Sequence, residues 1–363
     1  MNPAIQKTLT LVLLILIGYF LKSKITSKEQ RKGIKTLILS VALPAMIFVA
    51  LLKVQIDLSM LYLPIGILLI NVLLFFIAKW TVSWFGISPN SADARTWQML
   101  MPSFAPGLSC FPFLMEYIGE ESLALAALTD VGNKVFVLVI LYLIAMRWHQ
   151  QTQKKEKVSS TDRVKSLLIS MIKEPVNAVI VVAIGLLALG YNMTNLPVFL
   201  QDGIGRMSMM MTPLVLIFIG MAVHVDWRQL RQIGSLLLFR SACAFLISAL
   251  LILALPVDTT LAILIVAFLQ SAASFWPFAH ISLVTDAEQD RITTFNPSLA
   301  LNVLALSLPL STVLILLICS TPTFFINPVH LLLIALLFVA FAFLPRLLSV
   351  LRGIQKKRWS MVK

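Results

Sequence analysis

Asp130 and Lys134 stand four residues apart in a stretch of chain that is otherwise apolar, so on a helix they share one face. An ionised side chain in such surroundings is costly and either pairs or faces a cavity. Two readings of the pair stand side by side. In one, Lys134 helps to hold an anion, while Asp130 orients it or carries a coupling proton. In the other, the two charges neutralise each other as a structural pair. Asn133 lies between them, and Asn296 lies far downstream; each has an amide that can bind a ligand or brace a crossing.

The second chemical feature is a pair of helix breaks. Residues 101–112 read Met-Pro-Ser-Phe-Ala-Pro-Gly-Leu-Ser-Cys-Phe-Pro, with prolines at Pro102, Pro106 and Pro112 and a glycine at Gly107. Each proline removes an amide donor and clashes with the preceding turn, so one continuous helix is not expected. Residues 270–277 read Gln-Ser-Ala-Ala-Ser-Phe-Trp-Pro. Such breaks create half-helix N-termini, whose N–H groups and partial positive charge suit a carboxylate. The candidate anion-binding residues are Pro106, Gly107, Ser109, Pro112, Asn133, Lys134, Ser271, Ser274, Pro277 and Asn296, with Asp130 as candidate proton carrier. The unwound positions are expected at 106–112 and 271–277.

The elements that must position these residues follow from composition. The chain of 363 residues is 59% hydrophobic and only 12% charged, and its apolar residues come in long continuous blocks. That excludes a soluble domain, and the lack of alternation excludes a transmembrane barrel. Eleven apolar segments are read at about 5–21, 34–52, 58–78, 96–118, 122–146, 174–191, 203–224, 233–255, 259–284, 293–318 and 326–345. With this count nearly all lysines and arginines fall in loops on one side, leaving Lys7 and Lys53 on the other and Lys134, Arg206 and Arg240 within segments. Basic loops mark the cytoplasmic face, so the N-terminus is expected outside and the C-terminus inside an inner or plasma membrane. Arg206 and Arg240 are read as lying near segment ends, able to snorkel. The net charge of +13 then reflects this bias and anionic lipid, with no nucleic acid implied.

The halves of the chain echo each other. Pro44 in segment two matches Pro213 in segment seven, Pro112 in segment four matches Pro277 in segment nine, and Asn133 matches Asn296, all at similar separations. A five-helix unit repeated once must enter the membrane from the opposite side, giving an inverted repeat of the kind found in secondary transporters. The expected architecture is an all-α integral membrane protein. It has a first repeat at 1–146, a basic linker at 147–173, a second repeat at 174–318, and an extra C-terminal eleventh helix with a basic tail at 319–363. Cys110, Cys243 and Cys319 are read as small buried hydrophobes, the Met207–Met211 cluster as packing, and the run Asp286, Glu288, Asp290 as a solvated turn. No metal or cofactor is expected. A membrane enzyme would carry paired catalytic motifs, and neither HExxH nor facing aspartates is found. The remaining rivals to an anion carrier working by alternating access are a cation-coupled (Na+ or H+) symporter or antiporter, and a sensor or channel.

The ordered set Ile17-Gly18-Tyr19, Leu43-Pro44-Ala45, Phe111-Pro112-Phe113, Asp130-Val131-Gly132-Asn133 and Ile219-Gly220-Met221 resembles the auxin efflux carrier family of permeases, over about residues 10–318. The resemblance implies ten core helices in an inverted repeat, with helices four and nine crossing at prolines. It also implies a scaffold unit, a moving transport unit and often a homodimer. Family substrates include auxin in plants and malate or malonate in bacteria, and the short central loop is similar to that of the compact bacterial members. The expected partners are therefore a small organic anion, membrane lipid, a coupling H+ or Na+, and a second copy of the chain. Segment eleven and the bulky Ser274-Phe275-Trp276-Pro277 sequence depart from the family pattern.

Overall fold

The structure is a computed structural model, described for residues 3–53, 60, 62–153, 175–222, 230–286, 288 and 293–361. Most of the linker at 147–173 lies outside these residues, as do His224, Arg228, Asp290 and Arg291.

The described residues are helical throughout their regular structure, with no strand. In chain order the helices are α1 Pro3–Leu21, α2 Lys28–Leu37, α3 Leu43–Lys53, α4 Tyr62–Thr81, α5 Ala92–Leu100, α6 Pro106–Ser109, α7 Phe111–Tyr117, α8 Glu120–Val135, α9 Leu141–Gln153, α10 Pro175–Ala188, α11 Val198–Met209, α12 Met211–Ala222, α13 Leu230–Ala254, α14 Thr259–Leu269, α15 Phe275–Asp286, α16 Pro297–Ser320, α17 Pro322–Phe325 and α18 Pro328–Met361. Among the described residues, six helical stretches are long and apolar enough to cross a membrane: Glu29–Lys53, Tyr62–Phe85, Glu120–Thr152, Val198–Met221, Gln232–Ala254 and Pro297–Ser320. Leu9–Leu21, Ala178–Ala188, Thr259–Leu269 and Pro328–Leu344 are shorter apolar helices. This is the helical, bilayer-scale architecture that the apolar blocks predict.

Local chemistry sets the boundaries. Ser27 and Gln30 form a reciprocal capping box that starts α2, several residues before the apolar run begins. A π-turn at Ile38–Ala42 joins α2 to α3 just before Pro44, where a regular helix would drive the proline ring into the preceding turn. A second π-turn, Phe136–Ile140, joins α8 to α9. The basic tail continues the apolar helix, so α18 extends well past the expected end at 345.

Packing explains the motif glycines. A Cβ on Gly18 of α1 would overlap the carbonyl of Ile217 on α12, and one on Gly220 would overlap the carbonyl of Ile15. The two helices therefore touch backbone to backbone, a geometry that small residues permit in membrane bundles. Gly132 of α8 meets the carbonyl of Pro64 on α4 in the same way. Helix α3 packs against α10 and α11, while α13 packs along α18 and also touches α14 and α16. Around α13 sits an aromatic cluster in which Phe85 lies 5.2 Å from Phe239 and 5.0 Å from Phe343.

Candidate functional site

Two gaps in the helices define the site. Ser91 caps α5 by accepting the Ala94 amide at 3.1 Å, and α5 ends at Leu100. Residues 101–105 are non-helical, and Pro106 then opens α6 at its first turn. Pro112 lies in the first turn of α7. In the second half α14 ends at Leu269, residues 271–274 carry no regular secondary structure, and α15 begins at Phe275 with Pro277 in its first turn. The break expected at 106–112 is present at Cys110, whose φ of −120° and ψ of −49° separate α6 from α7, but the longer unwound stretch precedes it at 101–105, and the break expected at 271–277 is confined to 271–274. The physical reason is that Pro106, Pro112 and Pro277 initiate helix, where a missing N–H costs nothing because the first-turn donors have no intrahelical partner.

The two gaps cross and bind each other. The Ala105 amide donates to the Ala272 carbonyl at 2.8 Å. The Ala272 amide donates to Ser109 Oγ at 3.0 Å, and the Ser274 amide donates to Ser103 Oγ at 3.1 Å. Both serines also donate to their own chain, Ser109 to the Ala105 carbonyl at 2.9 Å and Ser103 to that of Leu100 at 2.8 Å. From α16, Ser307 Oγ accepts the Ala273 amide at 3.2 Å, and the Ser311 hydroxyl donates to the Gln270 carbonyl at 2.7 Å. Asn133 on α8 clasps Phe104 from both sides: its Oδ1 accepts the Phe104 amide at 3.3 Å and its Nδ2 donates to the Phe104 carbonyl at 2.9 Å.

Three of the freed carbonyls converge on one cation. Arg240, on α13, donates from Nε to Met101 O at 3.0 Å, from Nη1 to Ser271 O at 2.8 Å and from Nη2 to Ser103 O at 2.8 Å. Its guanidinium carbon sits 4.9 Å from the centre of the Phe104 ring. Arg240 is only 4% exposed, which corrects the expectation that it snorkels to a membrane surface. Its place ten residues into α13 turns the forked donors toward three freed carbonyls, which a planar guanidinium suits better than an ammonium.

The acid–base pair lies one step away. Lys134 Nζ is 3.7 Å from Asp130 Oδ2, with the residues 7% and 6% exposed. Asn133 Nδ2 donates to Asp130 Oδ1 at 2.8 Å, and Asn71 Nδ2 donates to Asn133 Oδ1 at 3.2 Å. A continuous path of hydrogen bonds therefore runs from the Asp130 carboxylate through Asn133 to the unwound backbone at Phe104. Gln270 Oε1 and Asn71 Oδ1 are buried with no hydrogen-bond partner among the described residues, and the buried Ser271 hydroxyl faces the Cys110 thiol.

Residues 3–317 match the sequence family described as membrane transport protein, a span covering most of the chain. The chain belongs to the membrane transport protein family, that of the auxin efflux carriers. No curated protein matches it.

The remaining candidate residues in this membrane transport protein divide cleanly. Ser109, Asn133, Ser271 and Ser274 meet at the crossing, with Asp130 and Lys134 beside it. Pro106, Gly107 and Pro112 flank it; a Cβ on Gly107 would press on Leu43 of α3. Asn296 does not join them, a correction to the expected match with Asn133. It caps α16, its Oδ1 accepting the Leu299 amide at 3.0 Å and its Nδ2 donating to Asp93 at 2.7 Å. Ser307, which does reach the crossing, lies about 16 Å further along that helix at 1.5 Å per residue. Phe275 and Trp276 are 50% and 37% exposed, so the bulk expected in the crossing lies beside it. Glu288 is not simply solvated: it accepts the Thr294 amide at 3.0 Å and lies 3.3 Å from His149 Nδ1. The sequence reading missed Arg240, Ser103, Ser307 and Ser311. Arg240 was one of few charges inside a segment, and the two later serines sit four apart on one face of segment ten, which is the signal that could have found them.

Proposed function

We propose that this chain is a secondary active transporter that moves a small organic anion, a carboxylate, by alternating access. The observation that carries the reading is the crossing of two unwound stretches around the buried Arg240 guanidinium, with Asp130 and Lys134 alongside. Unwound backbone at membrane depth is tolerated where it is buried in protein or lines a cavity, and discontinuous helices are where such carriers hold substrate.

The amides of residues 104, 105 and 272–274 have internal acceptors. Anion recognition therefore falls on side chains more than on those amides. An incoming carboxylate competes with Asp130 for Lys134, and Ser271 supplies a buried hydroxyl held by nothing stronger than the Cys110 thiol. Asp130, released from Lys134, then serves as the carrier of a coupling proton. In this reading Arg240 does for the freed carbonyls what a bound metal cation would do, so sodium is not required there.

The wider architecture belongs to the same proposal. Ten core helices form an inverted five-plus-five repeat, with the N-terminus outside and the C-terminus inside the cell membrane. The close pairing of α1 with α12 and of α3 with α10 and α11 supports a scaffold unit; the crossing and its supports form the moving unit. Helix α18 is an eleventh span docked on α13, and the working form is a homodimer.

The test is uptake of radiolabelled mono- and dicarboxylates, malonate and malate among them, into proteoliposomes under imposed pH or sodium gradients. Saturable uptake driven by pH is expected. Uptake equal to that of empty liposomes for every anion would remove the proposal. A cation-exchange reading is favoured by Asp130 alone, and it predicts sodium-dependent flux without an organic anion.

A further inference from the structure

A polar cavity lies between α4, α5 and α9. It has a volume of about 550 Å³ and is lined by Lys79, Arg95, Gln98, Arg147 and Gln151, with the Phe75 and Trp148 rings stacked 6.0 Å apart at 17°. Three basic side chains thus come from three helices. Among the described residues neither Lys79 nor Arg147 has an ion-pair partner. Arg95 is anchored through Nε to the Thr294 carbonyl at 2.7 Å and through Nη1 to the Asn90 carbonyl. The nearby acids are engaged elsewhere: Glu288 holds the Thr294 amide and faces His149, while Asp93 holds Asn296. Glu288 offsets part of the Arg95 charge, and the cleft as a whole stays basic.

The surroundings say what kind of anion fits. Leu69, Leu73, Phe76 and Trp80 form an exposed apolar stripe along α4 at helical spacing, running up to the turn that carries Lys79. On α9, Leu143 is exposed one turn before Arg147. Cationic groups at the end of an apolar stripe match a molecule with a charged head and a long hydrocarbon tail. A free anion would have no use for the stripe.

We propose that this cleft holds the phosphate headgroup of an anionic phospholipid, whose acyl chain lies along the α4 stripe. Lys79 and Arg147 supply the charge, and Arg95 and Gln98 connect the headgroup to α5, the half-helix that leads into the crossing. Binding there steadies α5 against α4 and α9.

The experiment is thermal unfolding of the purified full-length protein in neutral detergent, with added phosphatidylglycerol, phosphatidylcholine or inorganic phosphate. Phosphatidylglycerol is expected to raise the melting temperature well above the phosphatidylcholine value. The Lys79→Gln/Arg147→Gln variant should lose at least half of that increment. Lys24→Gln/Lys32→Gln, which removes exposed charges elsewhere, should lose none of it. The charge-conserving Lys79→Arg/Arg147→Lys variant should keep it, which separates loss of charge from damage to the fold. Equal loss in the two Gln variants would mean diffuse attraction and overturn the site. A full increment from inorganic phosphate would overturn the lipid as its occupant.

Discussion

Arg240 Nη1 donates to the Ser271 carbonyl oxygen at 2.8 Å, joining a helix of the second half to the centre of a broken one. The same guanidinium holds Met101 and Ser103 of the first break. One side chain thus ties both unwound stretches together, and its removal strands three buried carbonyls. Each orphaned polar group costs about 1–3 kcal/mol. Arg240→Met is therefore expected to lower stability by several kcal/mol and to abolish flux. Arg240→Lys should keep part of the stability, because an ammonium cannot fill three sites in the plane of a fork. Denaturant or thermal unfolding alongside proteoliposome uptake reads both effects. Unfolding curves that match the parent protein for Arg240→Met would contradict the role given to the fork.

The Asp130–Lys134 pair separates the two readings of its chemistry. If the pair works in transport, Lys134→Ala strongly reduces anion uptake, and Asp130→Asn leaves a carrier whose flux no longer responds to a pH gradient. If it is structural, the double variant restores what either single change loses. Uptake assays on the two singles and the double decide between them.

Backbone contact at Gly220 makes a sharp steric prediction. Gly220→Val would force α1 away from α12 at Ile15, and overpacking of this kind costs typically about 1–3 kcal/mol. Gly66, within α4, has open space where a Cβ would go, so Gly66→Ala should be neutral or gain up to about 1 kcal/mol from helix propensity. Melting temperatures of the two variants should move in opposite directions or differ clearly in size.

Asn296 is a cap and not a ligand in this geometry. Asn296→Ala should lower stability by about 1 kcal/mol while leaving the apparent substrate affinity unchanged. A raised KM at unchanged melting temperature would return Asn296 to the binding site.

Much of this was legible in the sequence because hydrocarbon imposes few solutions. Continuous apolar blocks dictated helices, and the prolines at 102, 106 and 112 dictated an interruption. What sequence placed less well was the unwound stretch itself, because a proline can either break a helix or begin one, and the choice depends on what satisfies the neighbouring amides. Asn133 stood out because an amide beside two charges is conspicuous, and the structure uses it to brace the crossing at Phe104. Arg240 was misplaced because distance along a segment says nothing of which way a long side chain turns. Asn296 was over-read because equal spacing in two halves does not guarantee equal depth once one helix starts later than its counterpart.

Phe343 of α18 meets Phe239 edge-on at 6.0 Å, and Phe239 directly precedes Arg240. The tail helix therefore acts as a buttress behind the residue that pins the two breaks, although it begins beyond the stretch that matches the family. Shortening the protein at residue 320 would strip that wall from Phe239, so damage at the far C-terminus reaches the crossing along the α13–α18 seam, most directly through Phe343 and Phe239.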